Sequence, residues 1–241
     1  MITFSHVTKS YNGKRKAVDD LHLTVNGGEV FGFLGPNGAG KTTTIKMLTG
    51  ITDIDEGSIE INGYNITSDS MKAKRSFGYV PDSPDMFLRL KGLEYLNFMG
   101  DIYKVPKSLR QERISSLASA FDLESALGDH IQSYSHGMRQ KVMVMGALLH
   151  DPDVWILDEP LTGLDPKAAF ELKKMMRDHA NKGKTVFFST HGLDVVEKLC
   201  DRVAIINKGQ IVLTGTMDEI KGNFHQDDSL EKLFLEITKN E

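Results

Sequence analysis

The chain has 241 residues, with 29 Lys+Arg against 33 Asp+Glu, and so a formal net charge of -4. Its 40% hydrophobic and 26% charged residues exclude disordered, collagen-like and fibrous classes, and a single cysteine excludes a disulfide framework or a cysteine-rich metal site. No apolar run approaches the roughly 18–20 residues of a membrane span, no signal-peptide core opens the sequence and the mild acidity does not favour a nucleic-acid surface, so a soluble cytosolic protein is expected.

The first predicted elements are strands. Ile2 and Phe4 alternate with polar residues, and Leu21, Leu23 and Val25 do the same, which is the period of a half-buried strand. Val30-Phe31-Gly32-Phe33-Leu34 is a continuous apolar run that suits a buried strand. It leads into Gly35-Pro36-Asn37-Gly38-Ala39-Gly40-Lys41-Thr42, a full match to G-x-x-x-x-G-K-[ST], followed by Thr43 and a helical pattern over 42–48. Glycines let the backbone wrap so that successive N–H groups face a phosphate, and the helix N-terminus adds positive potential. Lys41 would neutralise the β- and γ-phosphates and the Thr42 hydroxyl would hold Mg²⁺, which makes 35–43 a nucleoside triphosphate site.

Guanine specificity would usually show Asn-Lys-x-Asp, and both Asn207-Lys208-Gly209-Gln210 and Asn181-Lys182-Gly183-Lys184 lack the Asp. Tyr11 is the candidate for stacking on adenine, with an ordinary surface or core tyrosine as the alternative. Further strands are predicted at 59–61, 77–80, 154–157, 186–189 and 203–206, the last turning through Lys208-Gly209 into 211–213. Helices are predicted at 107–121, 139–149, 166–180 and 193–199, and strands alternating with helices argue for a parallel α/β core. From about 84 to 150 the strand signal vanishes, so a helical insertion is expected there. One more amphipathic helix is expected over 229–238.

The strand Val154-Trp155-Ile156-Leu157 ends in Asp158-Glu159-Pro160, which puts two carboxylates at the C-terminal edge of the sheet, where phosphates bind in such folds. Asp158 would complete the Mg²⁺ shell and Glu159 would orient or deprotonate the attacking water.

Tyr134-Ser135-His136-Gly137-Met138-Arg139-Gln140-Lys141 resembles the signature motif of ABC-type ATPases. Leu164-Asp165 is similar to their D-loop, and His191, after Val186-Phe187-Phe188-Ser189, is similar to their switch histidine. The resemblance implies an α/β fold: a P-loop NTPase core with a parallel sheet flanked by helices, an N-terminal antiparallel β subdomain and an inserted α-helical subdomain. Within a single domain, 1–83 and 151–220 would form the core and β subdomain, 84–150 the helical subdomain and 221–241 a C-terminal helix.

It further implies that two cassettes meet head to tail around two ATP, each held by one cassette's P-loop and the other's signature. Ser135, His136 and Gly137 would then serve the partner's γ-phosphate, Asp165 would connect the two sites, and His191 would bond the γ-phosphate and the water that Glu159 orients. In three places the sequence departs from the family pattern. His136 replaces a glycine, Met138 a glutamine, and Asp82 the glutamine that senses Mg²⁺ and speaks to the membrane partner; a carboxylate there can itself bind Mg²⁺.

The segment from 84 to 150 is where such cassettes receive a short helix from a membrane subunit. Its Met86, Phe87, Leu90, Tyr95, Leu96, Phe98 and Met99 are expected mostly to pack the subdomain itself, with a few around 85–88 lining a docking groove. The tail from Leu230 to Ile237 is similar to the C-terminal helix of bacterial export cassettes with separate membrane subunits. Three functions fit: the ATPase of a transporter, expected to export, at the cytoplasmic face of a membrane; a soluble single-cassette ATPase in an assembly pathway such as iron-sulfur cluster biogenesis; and an ATP-binding module without turnover. Glu159 and His191 speak against the last, and transport is the preferred reading.

Overall fold

A computed structural model describes residues 1–222, apart from 12 and 14, together with Phe234. Two long strands, β1 (Ile2–Tyr11) and β2 (Arg15–Val25), pair antiparallel, and β1 also pairs with β4 (Glu56–Ile61), which carries the short β5 (Tyr64–Asn65). The sheet order is β2-β1-β4-β5. Alternation is visible in the sequence only at the ends of β1 and β2, because register shifts between Phe4 and Val7, Val7 and Lys9, and Lys9 and Ser10 break the two-residue period.

The second sheet has the order β10-β9-β3-β8-β7-β6. Its strands β3 (Val30–Leu34), β6 (Phe77–Val80), β7 (Val154–Leu157), β8 (Thr185–Thr190) and β9 (Arg202–Asn207) pair in parallel, and β10 (Gln210–Thr216) closes one edge antiparallel to β9. Continuous apolar sequence such as Val-Phe-Gly-Phe-Leu is what a strand covered on both faces requires, and every residue of β3 and β7 is buried. Successive residues face opposite layers. Phe31, Phe33, Val154, Ile156 and Phe187 pack toward the antiparallel sheet, whereas Val30, Trp155, Leu157, Val186 and Phe188 pack toward the helical side. Phe187 joins the two sheets: its ring centroid lies 5.5 Å from Phe33, 5.9 Å from Phe31 and 6.3 Å from Phe4 of β1. Burying each such ring contributes about 1.5–3 kcal/mol.

Helix α1 (Lys41–Leu48) follows β3, and α2 (Ser70–Arg75) precedes β6. Between β6 and β7 lie α3 (Gly92–Ile102), α4 (Lys107–Ala120) and α5 (His136–Leu148), with short 3₁₀ turns at Glu124–Ala126 and Ile131–Ser133. The expected helical insertion is therefore present, and among its described residues the only β pairing is the isolated bridge between Lys91 and His130. Its core is Tyr95, Leu96, Ile114, Phe121, Ile131, Val142 and Met145, continuous with Trp155 and Leu157 of the parallel sheet. Helices α6 (Pro166–Asn181), α7 (Leu193–Leu199) and α8 (Met217–Gly222) complete the described chain. The expected tail helix over 229–238 lies outside the described residues except for Phe234, which is helical and packs against the cluster of Leu34, Val196 and Ile205. Among the described residues no helix is long and apolar enough to cross a membrane.

Candidate active site

The loop 35–40 joins β3 to α1 with little room for side chains. A Cβ on Gly35 would lie 2.4 Å from the Ile206 carbonyl oxygen, and one on Gly40, at φ +110°, would lie 2.5 Å from that of Ala17. Glycine at these positions is thus required by the neighbouring strands β9 and β2. Lys41 is 6% exposed, and its Nζ donates to the carbonyls of Gly35 at 2.7 Å and Pro36 at 3.2 Å. The same ammonium is 3.4 Å from Glu159 Oε1.

Asp158 and Glu159 emerge from the end of β7. Asp158 is fully buried; its Oδ1 accepts from Ser189 Oγ at 2.5 Å, and its Oδ2 has no protein partner. Burial pushes this carboxyl above the usual carboxylate range. The Ser189 hydrogen bond opposes that, the charge of Asp82 adds to it, the nearby Thr42 hydroxyl opposes it and the charge of Glu159 adds to it again. Glu159 stands in the left-handed region at φ 47°, and Oε2 accepts from His191 Nδ1–H at 3.0 Å. One carboxylate therefore bridges the P-loop lysine and the histidine after β8, and a cavity of about 180 Å³ lined by Glu159, Pro160, Thr162, Thr190 and His191 opens beside it.

The donor set suits Mg²⁺. Hard oxygen ligands converge there from the Thr42 hydroxyl and the Asp158 carboxylate, and the buried, partnerless Oδ2 is the atom a cation would satisfy. Asp82, just past β6, is close enough for its charge to act on Asp158. Tyr11 is 49% exposed at the end of β1 and lines a cavity of about 170 Å³ with Lys16, Ala17, Gly38 and Gly209.

Ser135, His136 and Gly137 are placed elsewhere. Ser135 caps α5, its Oγ accepting from Met138 N–H at 3.3 Å. The first turns of α5 pack on the loop after β7: Gln140 Nε2 donates to the Pro160 carbonyl at 3.4 Å, and Lys141 Nζ to Asp165 Oδ2 at 3.0 Å. Asp165 in turn caps α6, accepting from Ala168 N–H at 2.8 Å. The structure thus gathers the P-loop, Asp158, Glu159 and His191 at one site and ties the signature to Asp165. Ser189 is not singled out by the sequence; the only signal for it is a hydroxyl following Val186-Phe187-Phe188 in the strand that lies in register with the acidic one.

The family model described as ABC transporter matches residues 18–162. The chain is 39% identical over 216 residues to the uncharacterized ABC transporter ATP-binding protein YhcH of Bacillus subtilis, covering 88% of this chain and 68% of that protein. It is 33% identical over 242 residues to the ABC-type transporter ATP-binding protein EcsA of Bacillus subtilis, covering 100% of this chain and 98% of that protein. A solved structure described as the ATP binding subunit of an ABC transporter superposes with a TM-score of 0.93 at 33% identity, covering 98% of this chain and 99% of that one. With the family model over residues 18–162 and relatives of this identity and coverage, the chain belongs to the ABC transporter family, as an ATPase cassette that uses ATP and Mg²⁺.

Proposed function

We propose that the cassette drives transport, in the export direction, through separate membrane subunits at the cytoplasmic face of a membrane. Two copies, or this chain and a related one, meet head to tail. Each ATP lies on one cassette's residues 35–43, with Tyr11 against the adenine. Ser135, His136 and Gly137 of the other cassette approach the γ-phosphate, and Asp165 links the two sites. Thr42, Asp158 and Asp82 hold Mg²⁺, which when bound offsets phosphate charge. Residues 1–83 and 151–220 act as core and β subdomain, 84–150 as the helical subdomain and 221–241 as a C-terminal helix.

The carrying observation is the Glu159 carboxylate held between Lys41 and His191. When a γ-phosphate takes Lys41, Glu159 is left with His191 beside it and can accept a proton from water. The His191 imidazole then lies beside the charge that develops during transfer and stabilises it. The transport reading, over a soluble assembly ATPase, is supported by a groove of about 580 Å³ between α1, β6 and α3. Met86 and Phe87 are exposed at its rim, while Tyr95 and Leu96 are buried, so the apolar segment divides between docking surface and core. A short apolar helix from a membrane subunit fits such a groove.

Glu159→Gln is expected to abolish hydrolysis and to trap an ATP-bound dimer, read by phosphate release and by size-exclusion mass. Turnover at the parent rate would remove Glu159 as the base.

A further inference from the structure

Ser189 is the penultimate residue of β8 and a fully buried hydroxyl. The parallel register pairs Leu157 with Phe188, which brings the next residues, Asp158 and Ser189, side by side. The Ser189 hydroxyl then makes two hydrogen bonds. It donates to Asp158 Oδ1 at 2.5 Å and accepts the backbone N–H of Glu159 at 2.9 Å. A hydroxyl carries one proton and two lone pairs, so one rotamer satisfies both bonds.

Each bond fixes a carboxylate in a different way. With Oδ1 occupied, Asp158 turns its other oxygen, the partnerless Oδ2, to whatever cation the site takes. The N–H bond holds the left-handed turn at Glu159, from which its side chain reaches Lys41 and His191. An apolar residue would suit the strand, whose other members include Val186, Phe187 and Phe188, but would leave both partners unmet. Burial of a hydroxyl here is explained by what it orients.

We propose that Ser189 is a positioning residue for the ATPase reaction, one hydroxyl setting Asp158 toward the metal and Glu159 toward the attacking water. This rests on the roles proposed above for Asp158 and Glu159. Ligand-orienting partners of this kind are worth about 10- to 100-fold in metal affinity or activity.

The test uses the full chain with Ser189→Ala, and Ser189→Cys as a variant of similar size with a weaker donor. Three quantities are read: melting temperature, steady-state ATPase kinetics, and affinity for a fluorescent ATP analogue with and without Mg²⁺. Ser189→Ala is expected to fold, to lose about 10- to 100-fold in kcat with little change in KM, and to bind metal-free nucleotide as the parent does. The gain in affinity on adding Mg²⁺ is expected to shrink, with Ser189→Cys intermediate in both readouts. Parent kcat and a parent Mg²⁺ response in Ser189→Ala would overturn the proposal. Loss of folding in both variants would also overturn it, by making Ser189 structural. Glu159→Gln, measured alongside, separates the two levels: if it still hydrolyses ATP the reading of the site fails, and if it does not while Ser189→Ala matches the parent, only the role of Ser189 fails.

Discussion

His191 donates to Glu159 Oε2 from a side chain that is 61% exposed, so its contact is polar and its packing slight. His191→Ala should therefore leave the melting temperature near that of the parent and reduce kcat by about 10²- to 10³-fold, the usual effect of removing one preorganised donor. A calorimetric scan and a phosphate-release assay decide it, and equal losses in both would make the histidine a structural residue. At this scale the sequence was most legible where a motif fixes spacing. Residues 35–42, Asp158-Glu159 and His191 were all marked by their neighbours, and the fold brings them together. Ser189 was not legible, because a serine in an apolar strand acquires meaning only once the register lays Asp158 beside it. The second requirement on Gly40 was hidden for the same reason: the Ala17 carbonyl that excludes a Cβ lies 23 residues upstream on another strand.

Helix α5 meets the loop 160–165 through contacts that no single motif announces. A Cβ on Gly163, at φ +76°, would lie 2.4 Å from the ring of His136, and one on Gly137 would lie 2.9 Å from the Gly163 carbonyl oxygen. His136, which departs from the family's usual glycine, thus fills space that only a glycine at 163 leaves open. Gly163→Ala should destabilise the protein by about 1–2 kcal/mol from backbone conformation, with the histidine clash in addition. His136→Gly should relieve the clash but not the backbone cost, so the double variant is expected to show a favourable coupling of about 0.5–3 kcal/mol in denaturant unfolding. Additive effects would mean that ring and loop do not act on each other. Element boundaries were legible where period and caps agreed, as at α6 with Asp165 as its cap and Pro166 behind it. Helix α3 shows in the sequence only as an apolar stretch, since it begins at Lys91-Gly92 without a Ser, Thr, Asp or Asn cap and buries Tyr95, Leu96 and Gly100 while exposing Leu93, Phe98 and Ile102. Helix α2, at 6 residues, is too short to show a period at all.

Across the whole molecule, the helical insertion and the sheet core share one apolar cluster, and two histidines are set into its margin. His150 follows α5; its ring stacks on Tyr103 at 3.6 Å, and Nε2–H donates to the Phe77 carbonyl at 3.2 Å. His179 on α6 lies edge-on to Trp155 at 5.7 Å, and its Nε2 is buried without a partner. Burial is the main force on both and pushes each down to about 4; the Phe77 hydrogen bond and Asp151 oppose it at His150 while Arg113 and Lys184 add to it, and at His179 Lys184 and Lys182 add to it while Asp151 and Asp153 oppose it. Unfolding returns each to the ordinary histidine value of about 6.5. Between pH 6.5 and 4 the unfolded chain therefore binds more protons than the folded one, and stability falls as pH falls through that window. The limiting slope is about 1.4 kcal/mol per pH unit for each histidine that is protonated only on unfolding. Asp158, held above the usual carboxylate range, acts in the opposite direction at the acid end, since its folded form takes up the proton first. Asp19 and Asp55, held low chiefly by hydrogen bonds from Lys16 and Lys9, add their losses only below the ordinary aspartate value. The expected result is a melting temperature that declines from pH 7 to pH 5 in the parent and declines less in a His150→Phe, His179→Phe double variant, in which rings of similar shape remain against Tyr103 and Trp155 but neither can take a proton. Parallel curves for the two proteins would place the acid sensitivity elsewhere. A flatter curve for the double variant would locate it at the seam between helical insertion and sheet.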